Sequence, residues 1–230
     1  MSNTNWGIRI WRILAPLLLY YAALSAGPWL CVDADASMQV TVSALISLPL
    51  LTFWYVRDHQ GLHPAVEKTV PSRLTWAAYG LVCLLAGAAL SALSAFLMRR
   101  LGIYARFSNE TQEAYQTSAE VWMFLGPGLL GPVCEELVYR GLAYQRLCRE
   151  IPTAAAAAAT SLIFAAGHGN MIQFLYALPM GLLLCAVSRC RPPLTGQTNR
   201  GWQNVFLPVM MHVGANLYSV VFTLLKVRGG

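Results

Sequence analysis

Residues 131–141 read GPVCEELVYRG and set two adjacent glutamates, Glu135 and Glu136, and an arginine, Arg140, into an otherwise apolar stretch. Downstream, His168 closes FAAGH, and His212 and Asn216 stand four apart in HVGAN. An ionised group at bilayer depth costs roughly 2.5–3.5 kcal/mol on insertion scales, so such residues face a protein interior or a cavity and hint at function by default. Glu136 and Arg140 have i,i+4 spacing with the acid first, the favourable order for a same-face ion pair. Glu135 then projects about 100° away around the helix axis and needs polar surroundings of its own. In a sparsely hydrated pocket it suits a general base that takes a proton from water. His212 and Asn216 share one helix face and both can donate hydrogen bonds, the property needed to hold a developing oxyanion. His168, followed by Gly169 and Asn170, falls where a helix should end; it could orient the water, assist Glu135 or bind a metal.

Elements able to position these residues are membrane helices. The chain is 57% hydrophobic and only 11% charged, against roughly 25% charged in soluble domains, and its mean hydropathy is +0.50. Apolar runs near 12–31, 38–56, 74–98, 121–147, 153–168, 171–188 and 204–225 are joined by short polar segments. The expected fold is therefore all-α: one polytopic integral-membrane domain over residues 1–230, a bundle of about seven membrane helices around a buried polar cavity. The count becomes eight if a span hides between 99 and 120. The fifth and sixth runs are short and flank HGN at 168–170, so they are two short crossings or a helical hairpin that turns within the protein. AAAAAA at 154–159 predicts tight helix packing. ARFSNETQEAYQTSAE at 105–120 predicts either an interfacial helix with Glu110, Glu113 and Glu120 on water or a plain loop.

A net charge of +6 raises the question of nucleic acid, but the cations sit singly or in pairs beside apolar runs, with no basic stripe. A lipid bilayer is the expected partner, with no nucleic acid; nothing in the sequence specifies an oligomeric state. Arg9, Arg12, Arg57, Lys68, Arg73, Arg146, Arg149, Arg189, Arg191 and Arg200 fall on one side of the alternating spans, and Arg99, Arg100, Arg106, Lys226 and Arg228 on the other. That ten-to-five bias places the N-terminus in the cytosol. The first span is read as retained, since Leu24 spoils the A-x-A pattern of a cleavage site ending at Ala26. Six cysteines without a CxxC pair predict neither a disulfide framework nor a zinc finger. Cys134 points away from Glu135 on its helix and lacks the cationic neighbour a reactive thiolate needs. His59 and His63 lie four apart in a Pro- and Gly-containing loop and read as solvated. The seven tryptophans fall near span ends, as an interfacial belt does.

EELVYR, FAAGH and HVGAN, read as EExxxR, FxxxH and HxxxN in that order, resemble the CPBP family of intramembrane proteases, which contains the type II CAAX prenyl endopeptidases and bacterial Abi relatives. The resemblance covers about residues 125–221. It implies a helical membrane fold with Glu135, His168, His212 and Asn216 around one cavity and Glu136 and Arg140 in support. It further implies endopeptidase cleavage of protein or peptide substrates, membrane-associated or at a C-terminal tail, in a bacterial-type inner membrane. The hydrolysis would use a glutamate-activated water and no acyl-enzyme. The residues alone leave a zinc-dependent alternative open, because Glu135, His168 and His212 form a His₂Glu set; the resemblance favours no cofactor and no metal. A proton-coupled transporter and a non-catalytic binding or immunity module are the rivals from other classes. The transporter predicts symmetric halves that the sequence lacks.

Overall fold

A computed structural model of the chain describes residues 6–59, 73–190 and 203–228, with the side chains of residues 203 and 204 left aside. The positions of His63, Lys68, Arg191, Arg200 and Trp202 lie outside these residues. Among the described residues every regular element is helical. In chain order they are α1 (Trp6–Leu24), α2 (Ala26–Leu30), α3 (Ala36–His59), α4 (Arg73–Arg100), α5 (Ile103–Arg106) and α6 (Glu110–Tyr115). There follow α7 (Glu120–Leu147), α8 (Thr153–Ala166), α9 (Met171–Val187) and α10 (Gln203–Arg228). Five stretches are long and apolar enough to cross a membrane: α1 with α2, then α3, α4, α7 and α10.

The seven apolar runs thus form five long helices plus a shorter apolar pair. Residues 101–119 hold only the short α5 and α6, too brief and polar for an eighth span. In α6 the Asn109 side chain accepts from the Gln112 N–H, and Glu110, Glu113 and Glu120 are exposed, as the interfacial reading expects. Helices α8 and α9 pack against each other across the turn at residues 167–170, a geometry that both arrangements share. At 1.5 Å per residue they extend only about 21 and 25 Å, short of the ~30 Å hydrocarbon core. Their turn needs Gly169 at φ 74°, and Asn170 caps α9 by accepting from Gln173 N–H at 2.9 Å. The alanine run packs through one face only: Ala156 is buried beside Tyr144 and Cys185, while Ala154, Ala155 and Ala158 are exposed.

Backbone polar groups without water must find internal partners, and the break between α1 and α2 shows how. Ser43 on α3 donates to Leu24 O at 2.8 Å and accepts from Gly27 N–H at 2.9 Å. Helices α4 and α10 approach through glycine: a Cβ on Gly87 would lie 1.8 Å from Met211 O, and one on Gly214 1.9 Å from Leu84 O. Close backbone contact of this kind drives helix association where lipid removes the hydrophobic incentive. Half of the α10 span is buried against 11% of α4, so α10 is a central helix and α4 a peripheral one. Charges gather at the two ends. Arg9 pairs with Glu150 and Arg146 with Asp58, each at 2.6 Å, joining the start of α1 to the ends of α3 and α7. Glu120 and Arg228 pair at the opposite end. Trp76 departs from the expected belt: it is 7% exposed, edge-on to Phe206.

Candidate active site

Helix α7 departs from regular α geometry on both sides of the glutamates. Residues Phe124–Leu130 and Leu137–Tyr144 are π-helical, and the short α-helical piece between them, Gly131–Glu136, carries Glu135 and Glu136. Such π segments recur at functional sites because they re-aim side chains that a uniform helix would scatter. Proline explains part of the irregularity. The N–H of Gly131 bonds to Gly126 O, five residues back. The next residue, Pro132, has no N–H to offer, so the carbonyl of Pro127 loses the partner that this register would provide. Asn216 on α10 donates to it instead, at 2.8 Å.

Glu136 is completely buried, and its Oε1 accepts from Arg140 at 2.9 Å and from His212 Nδ1 at 2.8 Å. Arg140 also donates to Gly181 O at 3.1 Å, tying α9 to α7. The i,i+4 pair expected from the sequence is therefore present, with His212 as a third member. Since Glu136 is ion-paired and accepts, the Nδ1 of His212 carries the hydrogen, and Nε2 is the nitrogen turned to Glu135. Glu135 has a side chain 22% exposed, its Oε2 3.5 Å from that Nε2 and its Oε1 accepting from the Tyr20 hydroxyl at 3.2 Å. Arg140, Glu136, His212 and Glu135 thus form one contiguous polar cluster between α7 and α10.

Glu135, His168, His212 and Asn216 all line one cavity of about 990 Å³. His168 is brought to that cavity but not to Glu135: its Nδ1 is 2.8 Å from Phe164 O, and among the described residues its ring has no hydrogen bond or ion pair to the glutamate. With Nδ1–H on that carbonyl, Nε2 keeps a lone pair able to accept from water. Asn216 spends one amide hydrogen on Pro127 O and retains a second. Among the described residues no group of three or more His, Cys, Asp or Glu side chains is arranged to hold a metal ion. Cys134 is 1% exposed with its thiol 3.5 Å from Ala44 O, and all six cysteines are free. His59 folds back on its own helix, Nδ1 2.7 Å from Tyr55 O.

Several participants escaped the sequence reading. Phe164, known there only as the first letter of FxxxH, is a packing hub: its face lies 4.6 Å from the Arg140 guanidinium carbon, and His168 and His212 meet it edge-on at 4.9 and 5.7 Å. Tyr20 and Tyr21 come from α1, which carries no motif, and no local spacing could have announced them. Tyr115 on α6 also lines the cavity; burial first and the charge of Glu135 second push its hydroxyl up to about 12, so it stays a neutral hydroxyl.

Residues 117–218, from the approach to α7 well into α10, match the family model described as Rce1-like, type II CAAX prenyl endopeptidase. No curated protein and no solved structure gives a match. That match covers somewhat under half of the chain and, with the bundle of membrane-length helices, makes the chain similar to a family of membrane proteases of the CAAX type.

Proposed function

We propose that the chain, as a single domain over residues 1–230, is an intramembrane endopeptidase in which Glu135 activates the attacking water. The observation that carries this is the split between neighbouring acids: Glu136 is fully buried and held by Arg140 and His212, while Glu135 opens onto the cavity. In the acting form of this mechanism Glu135 is a carboxylate and His212 carries a hydrogen on Nε2. Glu135 takes a proton from water, which His168 Nε2 orients, and the hydroxide oxygen bonds to the scissile carbonyl carbon. The oxyanion is held by the spare Asn216 N–H and His212 Nε2–H. Glu135 then passes its proton to the leaving nitrogen as the C–N bond breaks, giving a carboxylic acid and an amine without an acyl-enzyme. Glu136 and Arg140 keep His212 in the required tautomer and orientation. No resident metal takes part.

Substrates are protein or peptide segments that reach the cavity from the membrane or as C-terminal tails. The N-terminus lies in the cytosol of a bacterial-type cell and the bundle in its inner membrane, as the charge bias supports. The test uses the purified chain in lipid nanodiscs with membrane-anchored peptides and mass spectrometry of the products. Wild type should yield two fragments per cut, and Glu135→Gln should lower the rate about 10³-fold. A transporter or a silent binding module would yield no fragments from either protein, and undiminished cutting by Glu135→Gln would remove the assigned base.

A further inference from the structure

Resting on the protease reading above, we infer that Tyr20 is a positioning residue that fixes the Glu135 carboxylate, so that α1, outside the matched residues 117–218, completes the active site. Tyr20 is 3% exposed, and its hydroxyl donates to Oε1 of Glu135 at 3.2 Å. His212 addresses the other oxygen, Oε2, from α10. A glutamate side chain has several staggered states of similar energy, and a carboxylate contacted at only one oxygen can still swing among them. Contact at both oxygens from two different helices leaves one orientation, with the remaining lone pairs available to a water in the cavity.

The neighbouring residue secures the helix that carries this contact. Tyr21 projects about 100° from Tyr20 around α1, and its hydroxyl meets that of Tyr139 at 2.6 Å, one helical turn beyond Glu135 on α7. The same hydroxyl lies against the backbone ahead of His168, where a Cβ on Gly167 would come within 2.2 Å of it. Helix α1 is thereby registered against the helices that carry Glu135 and His168, and Tyr20 is held at the height of the carboxylate. Ring packing of Tyr20 on Tyr139, 6.3 Å between centroids and near edge-on, survives loss of the hydroxyl.

Tyr20→Phe removes only the donor. It should lower kcat about 10- to 30-fold, as expected for a lost hydrogen bond to a charged group at a reacting centre, with KM within about twofold. Its melting temperature should match wild type. In a Glu135→Gln background the same change should have no further effect on the residual rate, because the contact acts through the carboxylate. An infrared carboxyl band that disappears in Glu135→Gln should shift in Tyr20→Phe. An unshifted band, an unchanged kcat, or an equal loss in both backgrounds would overturn the assignment. A band that shifts in Tyr20→Phe while the wild-type protein cuts no peptide would leave the contact standing and refute the protease reading alone.

Discussion

Nδ1 of His212 and Oε1 of Glu136 are 2.8 Å apart, on two helices, although 76 positions separate them in the chain. Glu136 therefore does for His212 what a second carboxylate does in many hydrolytic sites: it sets the tautomer and the ring plane. Arg140, 1% exposed, sets its guanidinium 2.9 Å from the same Oε1 and supplies the opposite charge.

Removing either charge leaves the other buried without its partner. Glu136→Gln and Arg140→Met should each lower stability by about 3–5 kcal/mol, read as thermal or denaturant unfolding in detergent micelles. The double variant should lose less than the sum of the two, since no orphaned charge is left. Single variants as stable as wild type would show that the pair is not the structural clamp described.

Asn216 has two tasks that a single substitution separates poorly, yet they predict different signs of compensation. Asn216→Ala should reduce kcat about 10²-fold through loss of an oxyanion donor. Adding Pro132→Ala, which restores an N–H that can serve Pro127 O, should recover stability without recovering kcat. Recovery of both would assign Asn216 a purely structural role.

Close backbone approach makes α4 and α10 sensitive to one methyl group. Gly87→Ala or Gly214→Ala pushes a Cβ into a carbonyl oxygen that cannot move aside. Each should cost at or beyond the upper end of the ~1–3 kcal/mol typical of overpacking. The expected readout is a lower melting temperature and a smaller monodisperse fraction on gel filtration. A variant indistinguishable from wild type would contradict the contact.

Chelators provide a separate check on the water-activating group. Dialysis against phenanthroline should leave cleavage within about twofold of the untreated protein, because Glu135 supplies the base. Loss of activity that added zinc restores would transfer the role to a metal.

The chemistry was more legible in the sequence than the architecture that delivers it. Glu136 and Arg140 could be paired because i,i+4 geometry is local, and the leftover status of Glu135 followed from the same helix turn. His212 was recognisable as a polar group in an apolar helix, but its bond to Glu136 was not, because a contact across 76 residues leaves no trace in local spacing. The π segments of α7 were hidden for another reason. Pro127 and Pro132 announce that a helix will be disturbed, yet not whether it will kink or widen. Tyr20 shows the limit most sharply, since an aromatic pair at 20 and 21 in a membrane helix reads as lipid-facing bulk until α1 is set against α7. Residues 153–187 kept two readings for a related reason: their apolar runs are short, and two short crossings and a hairpin within the protein share one composition.

The division of labour between the adjacent acids is tested most directly by measuring single-turnover cleavage and melting temperature together for Glu135→Gln in one nanodisc preparation. The expected result is a rate about 10³-fold below wild type with the melting temperature preserved, since Glu135 spends its contacts on the cavity rather than on the buried clamp. A variant that melts normally and still cuts at more than about a tenth of the wild-type rate would contradict the assignment of Glu135 as the base.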